Sequence, residues 1–96
     1  MGFLDNMKQL MEVKQKMEET KKKLDSIEVD AENDFVTVTA TGNRKIKNIT
    51  IKQANDLLML EGKLQSAINE ALEKSDNVMQ AEMLNVTKGM MPPGMG

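Results

Sequence analysis

The sequence predicts an α+β fold with the element order α-β-β-β-α, a three-stranded antiparallel meander flanked by two long helices. Two observations carry this. The apolar residues recur at helical spacing up to about residue 25, switch to strict alternation through about residue 51, and return to helical spacing afterwards. Two dipeptide turn signals, Asn33-Asp34 and Gly42-Asn43, divide the alternating region into three short strands.

The first helix is expected over residues 4–25. "LDNMKQLMEVKQKMEETKKKLD" holds no Gly or Pro and is rich in good helix formers, with Asp5 as its N-cap. Steps of three and four link Phe3, Asn6, Leu10, Val13, Met17, Thr20, Leu24 and Ile27, a narrow coiled-coil-like seam widened by Met7 and Met11. Such a helix is roughly 33 Å long. It needs a partner along that seam.

In "SIEVDAENDFVTVTATGNRKIKNITIK" the period is two. Ile27, Val29 and Ala31 share one face, and Glu28, Asp30 and Glu32 the other. Val36, Val38 and Ala40 alternate with Thr37, Thr39 and Thr41. Two-residue turns would close the hairpins at 32/35 and 41/44. Ala31 then faces Val36, and Val36 faces Ile49. Lys45 and Lys47 join the apolar side at the turn end, while Arg44, Ile46, Asn48 and Thr50 lie on the threonine side.

A second helix is expected after "QAN", capped by Asn55 or Asp56. Leu57, Leu60, Leu64, Ala67, Ala71, Val78 and Ala81 follow the three-four rhythm with a break at Lys74, and Ile68, Leu72, Met79 and Met83 broaden the stripe. Gly62 weakens it. The helix is expected to fade before Gly89, leaving residues 1–88 as a single domain. Residues 89–96 then form a Met/Pro/Gly tail that the two prolines keep from being helical. Both helices outrun so small a sheet, which points to a dimer.

Composition narrows the chemistry. With 96 residues the chain is one domain at most. It contains no Cys, His, Trp or Tyr, so it has no thiolate metal site, no imidazole base and no nucleophile–histidine pair for Ser26, Ser66 or Ser75. No enzyme activity, cofactor, metal or small-molecule substrate is expected. "LLML" is the longest apolar run and is too short to span a bilayer. The opening "MGFLDNMKQ" lacks a signal-peptide core and, with Asn6, misses the myristoylation pattern. A soluble cytoplasmic protein is expected.

The formal net charge is −2, from 13 basic and 15 acidic residues, which opposes nucleic-acid binding. The charge is uneven, however. Residues 1–52 carry 10 basic and 9 acidic side chains, residues 53–96 carry 3 and 6. The densest cationic runs are Lys21-Lys22-Lys23 and Arg44-Lys45-Ile46-Lys47. The first serves either as phosphate contacts or as complements to the helix dipole. The second is either a phosphate-contacting turn or a lysine-protected edge strand. Lys8, Lys14 and Lys16 alternate with Glu12, Glu18 and Glu19 in the manner of a solvated face. No aromatic residue interleaves with these cations, which removes base stacking on single strands.

"NMKQLMEVKQKM" (6–17), "VTVTATG" (36–42), "AINEAL" (67–72) and "GMMPPGM" (89–95) together resemble the YbaB/EbfC family of bacterial nucleoid-associated proteins. Each motif is short, but their order and spacing cover nearly the whole chain. The resemblance implies a tweezer-like α-β-β-β-α homodimer located at the nucleoid. It would bind double-stranded DNA mainly through backbone phosphates, with little base readout. Lys21, Lys22, Lys23, Arg44, Lys45 and Lys47 are the expected contacts. One departure stands out: the first hairpin turn, Glu32-Asn33-Asp34, is shorter and more acidic than is usual in the family, which would weaken binding if it lay near DNA. The helix–strands–helix order with methionine-rich seams is also similar to the prefoldin plan. A holdase-like chaperone, or a protein-interaction scaffold without DNA binding, is therefore the alternative.

Overall fold

The computed structural model describes the backbone of residues 2–90 and the side chains of residues 6–86. The element order is α1 (Gly2–Ser26), β1 (Glu28–Glu32), β2 (Val36–Thr41), β3 (Ile46–Ile51) and α2 (Leu57–Met90). The three strands form one antiparallel sheet in the order β1-β2-β3. The fold class is the expected α+β.

Two details of the helices, the start of α1 and the end of α2, differ from the sequence expectation, and the cap of α2 agrees with it. α1 begins at Gly2, so Asp5 lies inside the first turn and is not its cap. α2 is capped by Asp56, whose Oδ1 accepts the Met59 N–H at 3.1 Å, and it starts at Leu57 despite Gly62. It also passes through Gly89 to Met90, so this glycine does not stop it. Residues 91–96, most of the Met/Pro/Gly tail, lie outside the described residues.

The hairpins keep their topology but shift register. β1 and β2 pair Val29 with Ala40 and Ala31 with Val38, two residues away from the expected pairing. The turn tip is Asp34-Phe35, not Asn33-Asp34. Asn33 Oδ1 accepts the N–H groups of Phe35 (2.9 Å) and Val36 (3.0 Å), which fixes Asn33 as the first residue of the turn. The shift also brings Phe35 into the core at 5% exposure. Because it is two residues, no side chain changes face.

Between β2 and β3, Val36 pairs with Ile51 and Val38 with Ile49. The ladder then slips, so that Ala40 pairs with Ile46 and Lys47 is the extra residue. This bulge moves Ile46 off the threonine side, opposite Ala40. Lys47 instead reaches Glu28 in an ion pair on the open face. The expected placements of both residues are therefore reversed.

The core joins Ala31, Phe35, Val36, Val38 and Ala40 of the hairpins to Ala67 and Ala71 of α2, with Val29, Leu60, Leu64 and Ile68 around them. Two alanines facing the sheet let α2 approach β1 and β2 closely. β3 gains no such cover, and Ile46, Ile49 and Ile51 are 39%, 42% and 53% exposed. α1 packs only through its last turns, where Thr20 and Leu24 are buried, while Met7, Leu10, Met11 and Met17 are exposed. The molecule is 69 Å long with a radius of gyration of 19.1 Å, against about 12.5 Å for a compact chain of this length. No helix among the described residues is long and apolar enough to cross a membrane.

Candidate nucleic-acid interface

The cationic residues gather where α1 ends, the β2–β3 turn begins and α2 passes its midpoint. The turn is a three-residue loop, Gly42-Asn43-Arg44, closed by the Thr41 N–H to the Lys45 carbonyl at 2.8 Å. Arg44 has φ of 65°, the left-handed residue that completes a loop of this length, where the sequence suggested a two-residue turn. That conformation costs an L-residue about 1–2 kcal/mol.

Hydrogen bonds fasten the loop to both helices. The Gly42 N–H donates to the carbonyls of Leu24 and Ile27, each at 3.0 Å. Asn43 Nδ2 donates to the Lys21 carbonyl at 3.0 Å and to Asp25. The loop thus caps the Leu24 carbonyl, one of the last carbonyls of α1, which have no partner within the helix. A Cβ on Gly42 would come within 3.0 Å of both the Leu24 side chain and its carbonyl oxygen, so close approach demands glycine here. On the other side, Ser75 is fully buried. Its hydroxyl donates to the Thr41 carbonyl at 2.6 Å and accepts the Arg44 N–H at 2.9 Å.

The six candidate cations all lie at this end of the sheet, and three are held by carboxylates of the same chain. Lys23 is 3.1 Å from Glu82, Arg44 Nε is 3.1 Å from Asp76, and Lys47 pairs with Glu28. The cations are half exposed or more, and such pairs contribute little in water. Among the described residues, no ion pair engages the side chains of Lys21, Lys22 or Lys45. Lys21 borders an apolar groove between the helices, lined by Met17, Leu24, Met79 and Met83.

The acidic turn lies at the opposite end of the sheet. Its Asp34 pairs with Lys63 at 3.2 Å, and Asn33 Nδ2 donates to the Lys63 carbonyl. It therefore does not crowd the cations. The residues that sequence reasoning missed are Ser75, Asp76, Glu82 and Asn43. One signal existed: Ala67, Ala71 and Ser75 recur every four residues, a run of small side chains where α2 comes closest to the sheet. Among the described residues, no three carboxylate, His or Cys side chains converge on a metal position.

Residues 1–90 match the YbaB/EbfC DNA-binding family. The chain belongs to that family. A nucleoid-associated protein of Ruminiclostridium cellulolyticum is 38% identical, over 93% of this chain and 86% of the relative. One from Acetivibrio thermocellus is 39% identical, over 93% and 88%. One from Flavobacterium johnsoniae is 36% identical, over 99% and 95%. YbaB/EbfC membership thus covers both helices and the whole sheet, including the loop that carries the cations. The family is described by DNA binding, not by a catalysed reaction.

Proposed function

We propose that this chain binds double-stranded DNA at the nucleoid, in the cytoplasm, as a homodimer. It would act by phosphate contacts from Lys21, Lys22, Lys23, Arg44, Lys45 and Lys47, with little base readout. One observation carries the reading: a single hydrogen-bonded junction collects both cationic runs, 20 residues apart in sequence, at one end of the sheet. The net charge of −2 does not oppose this, because the acidic turn is at the other end and two of the three carboxylates beside the cations, Asp76 and Glu28, are in solvent-exposed pairs that phosphate can replace. The 69 Å body and the exposed apolar side chains of α1 support a second copy.

Titration of a labelled duplex by fluorescence anisotropy tests the reading. Six phosphate contacts weaken affinity by about a thousandfold between ~50 and ~200 mM salt. Replacing Lys21, Lys22 and Lys23 by Gln lowers affinity for all sequences alike and flattens the salt slope by about three. Absence of binding at the lower salt overturns the proposal.

The exposed apolar run Leu10, Met11, Val13 and Met17 on α1 favours a second reading, a holdase that shelters unfolded clients. Suppression of client aggregation together with no DNA binding would select it.

A further inference from the structure

Beyond Ser75, α2 runs antiparallel to α1. Glu82 meets Lys23 at 3.1 Å, and one turn further on Val86 borders the same cleft as Thr20 and Glu19. One more turn brings the end of α2, Met90, level with about residue 15 of α1. Above that level α1 is uncovered by the described residues: every residue from Asn6 to Glu19 is exposed. Leu10, at 69%, and Val13 stand on the helix line that lower down buries Thr20 and Leu24. The uncovered part, from Val13 back to Gly2, measures about 17 Å.

The chain continues past α2 as Met91-Pro92-Pro93-Gly94-Met95-Gly96. Pro92 disfavours the helical conformation at Met91, in keeping with an α2 that ends at Met90. Paired prolines favour an extended path of about 3.1 Å per residue, so these six residues reach about 19 Å. The length of chain beyond α2 therefore matches the length of α1 left uncovered, and the two begin at nearly the same level. The segment carries no charged side chain, and its apolar groups are two methionines and two prolines.

We propose that residues 91–96 lie extended along the α1 seam of their own chain, over Val13, Leu10 and Met7, and continue the cover that α2 gives to the lower part of α1. A segment that prolines already hold extended loses little entropy when it docks. Methionine suits the task, because its unbranched thioether side chain adapts to an irregular helix surface. Met11, on another side of α1, and Met17, below the end of α2, stay open to a second copy. The proposal goes beyond the DNA-binding reading and fails or stands separately from it.

The chain contains no cysteine, so Leu10→Cys with Met95→Cys introduces two thiols and no others. A disulfide needs Cα atoms within about 7 Å, which a segment on the seam allows at residue 10 and forbids at Lys8, on the opposite side of the helix. Mild oxidation of the full-length Leu10→Cys/Met95→Cys variant is expected to give a disulfide within one chain. The Lys8→Cys/Met95→Cys variant is expected to oxidise about tenfold more slowly. Met91→Asp with Met95→Asp is expected to speed amide hydrogen exchange across residues 6–13 by about tenfold, the worth of burying one methionine, with exchange in β2 unchanged. Equal oxidation rates at positions 8 and 10, or exchange that ignores the aspartates, overturns the proposal. A disulfide joining positions 10 and 95 of different chains gives the seam to the tail of a second copy and overturns the placement within one chain. Exchange across residues 6–13 that slows with protein concentration and is insensitive to the aspartates gives the seam to a second copy's helix, and also overturns it.

Discussion

The Arg44 guanidinium lies 3.1 Å from the Asp76 carboxylate, joining the β2–β3 loop to α2 across 32 residues of sequence. Both side chains are about half exposed, so the pair is worth at most about 1 kcal/mol. It also occupies a cation proposed to meet DNA. Asp76→Asn is expected to strengthen duplex binding by about fivefold or less, while Arg44→Ala weakens it and lowers the salt slope by about one. Equal affinity and equal salt slope for wild type and Arg44→Ala would show that Arg44 does not reach phosphate.

Ser75 supplies the other link, and it is buried. Ser75→Ala removes the donor to the Thr41 carbonyl and leaves the Arg44 N–H with only the Thr41 carbonyl, 3.1 Å away. The expected cost is about 1–3 kcal/mol. Thermal unfolding should fall by about 4–8 °C for each kcal/mol.

Gly62 and Gly42 call for opposite outcomes. A Cβ at Gly62 meets nothing within 4 Å, so Gly62→Ala should stabilise the chain by about 0.5–1 kcal/mol through helix propensity. Gly42→Ala drives a methyl into Leu24 and its carbonyl and should destabilise by about 1–3 kcal/mol. Denaturant midpoints of the two variants should move in opposite directions.

Glu32 sits on the open face of the sheet. The Thr37 hydroxyl, donating at 3.0 Å, and then Lys52 hold its carboxyl below the ordinary value of 4.5. A depressed folded value means that its contribution to stability is present above the unfolded value and disappears as pH falls through the folded one. Thr37→Val should raise the Glu32 titration midpoint, followed by carboxyl chemical shifts, toward 4.5.

Element order was legible because each change of apolar period marks a real boundary, and Asp56 was legible as a cap. Strand register was not. Asn33 sets the first turn through its own side chain, which alternation does not encode. The second hairpin held a clue in the three-residue step from Ile46 to Ile49, which breaks the period of two where Lys47 bulges. The cationic residues were legible as types. Their carboxylate partners were not, because Asp76 and Glu82 meet them only once α2 lies along the sheet and α1.

The placement of Ser75 along α2 has a mechanical consequence. Fifteen residues separate it from the helix end at Met90, about 22 Å at the rise of an α-helix. The part before Ser75 is clamped on the sheet, and the part beyond it lies off the sheet. Beyond Ser75 the helix leans on α1, where Glu82 pairs with Lys23 and Met79 and Met83 line one groove with Met17 and Leu24, so the arm's direction is set by two supports, the Ser75 clamp and the end of α1.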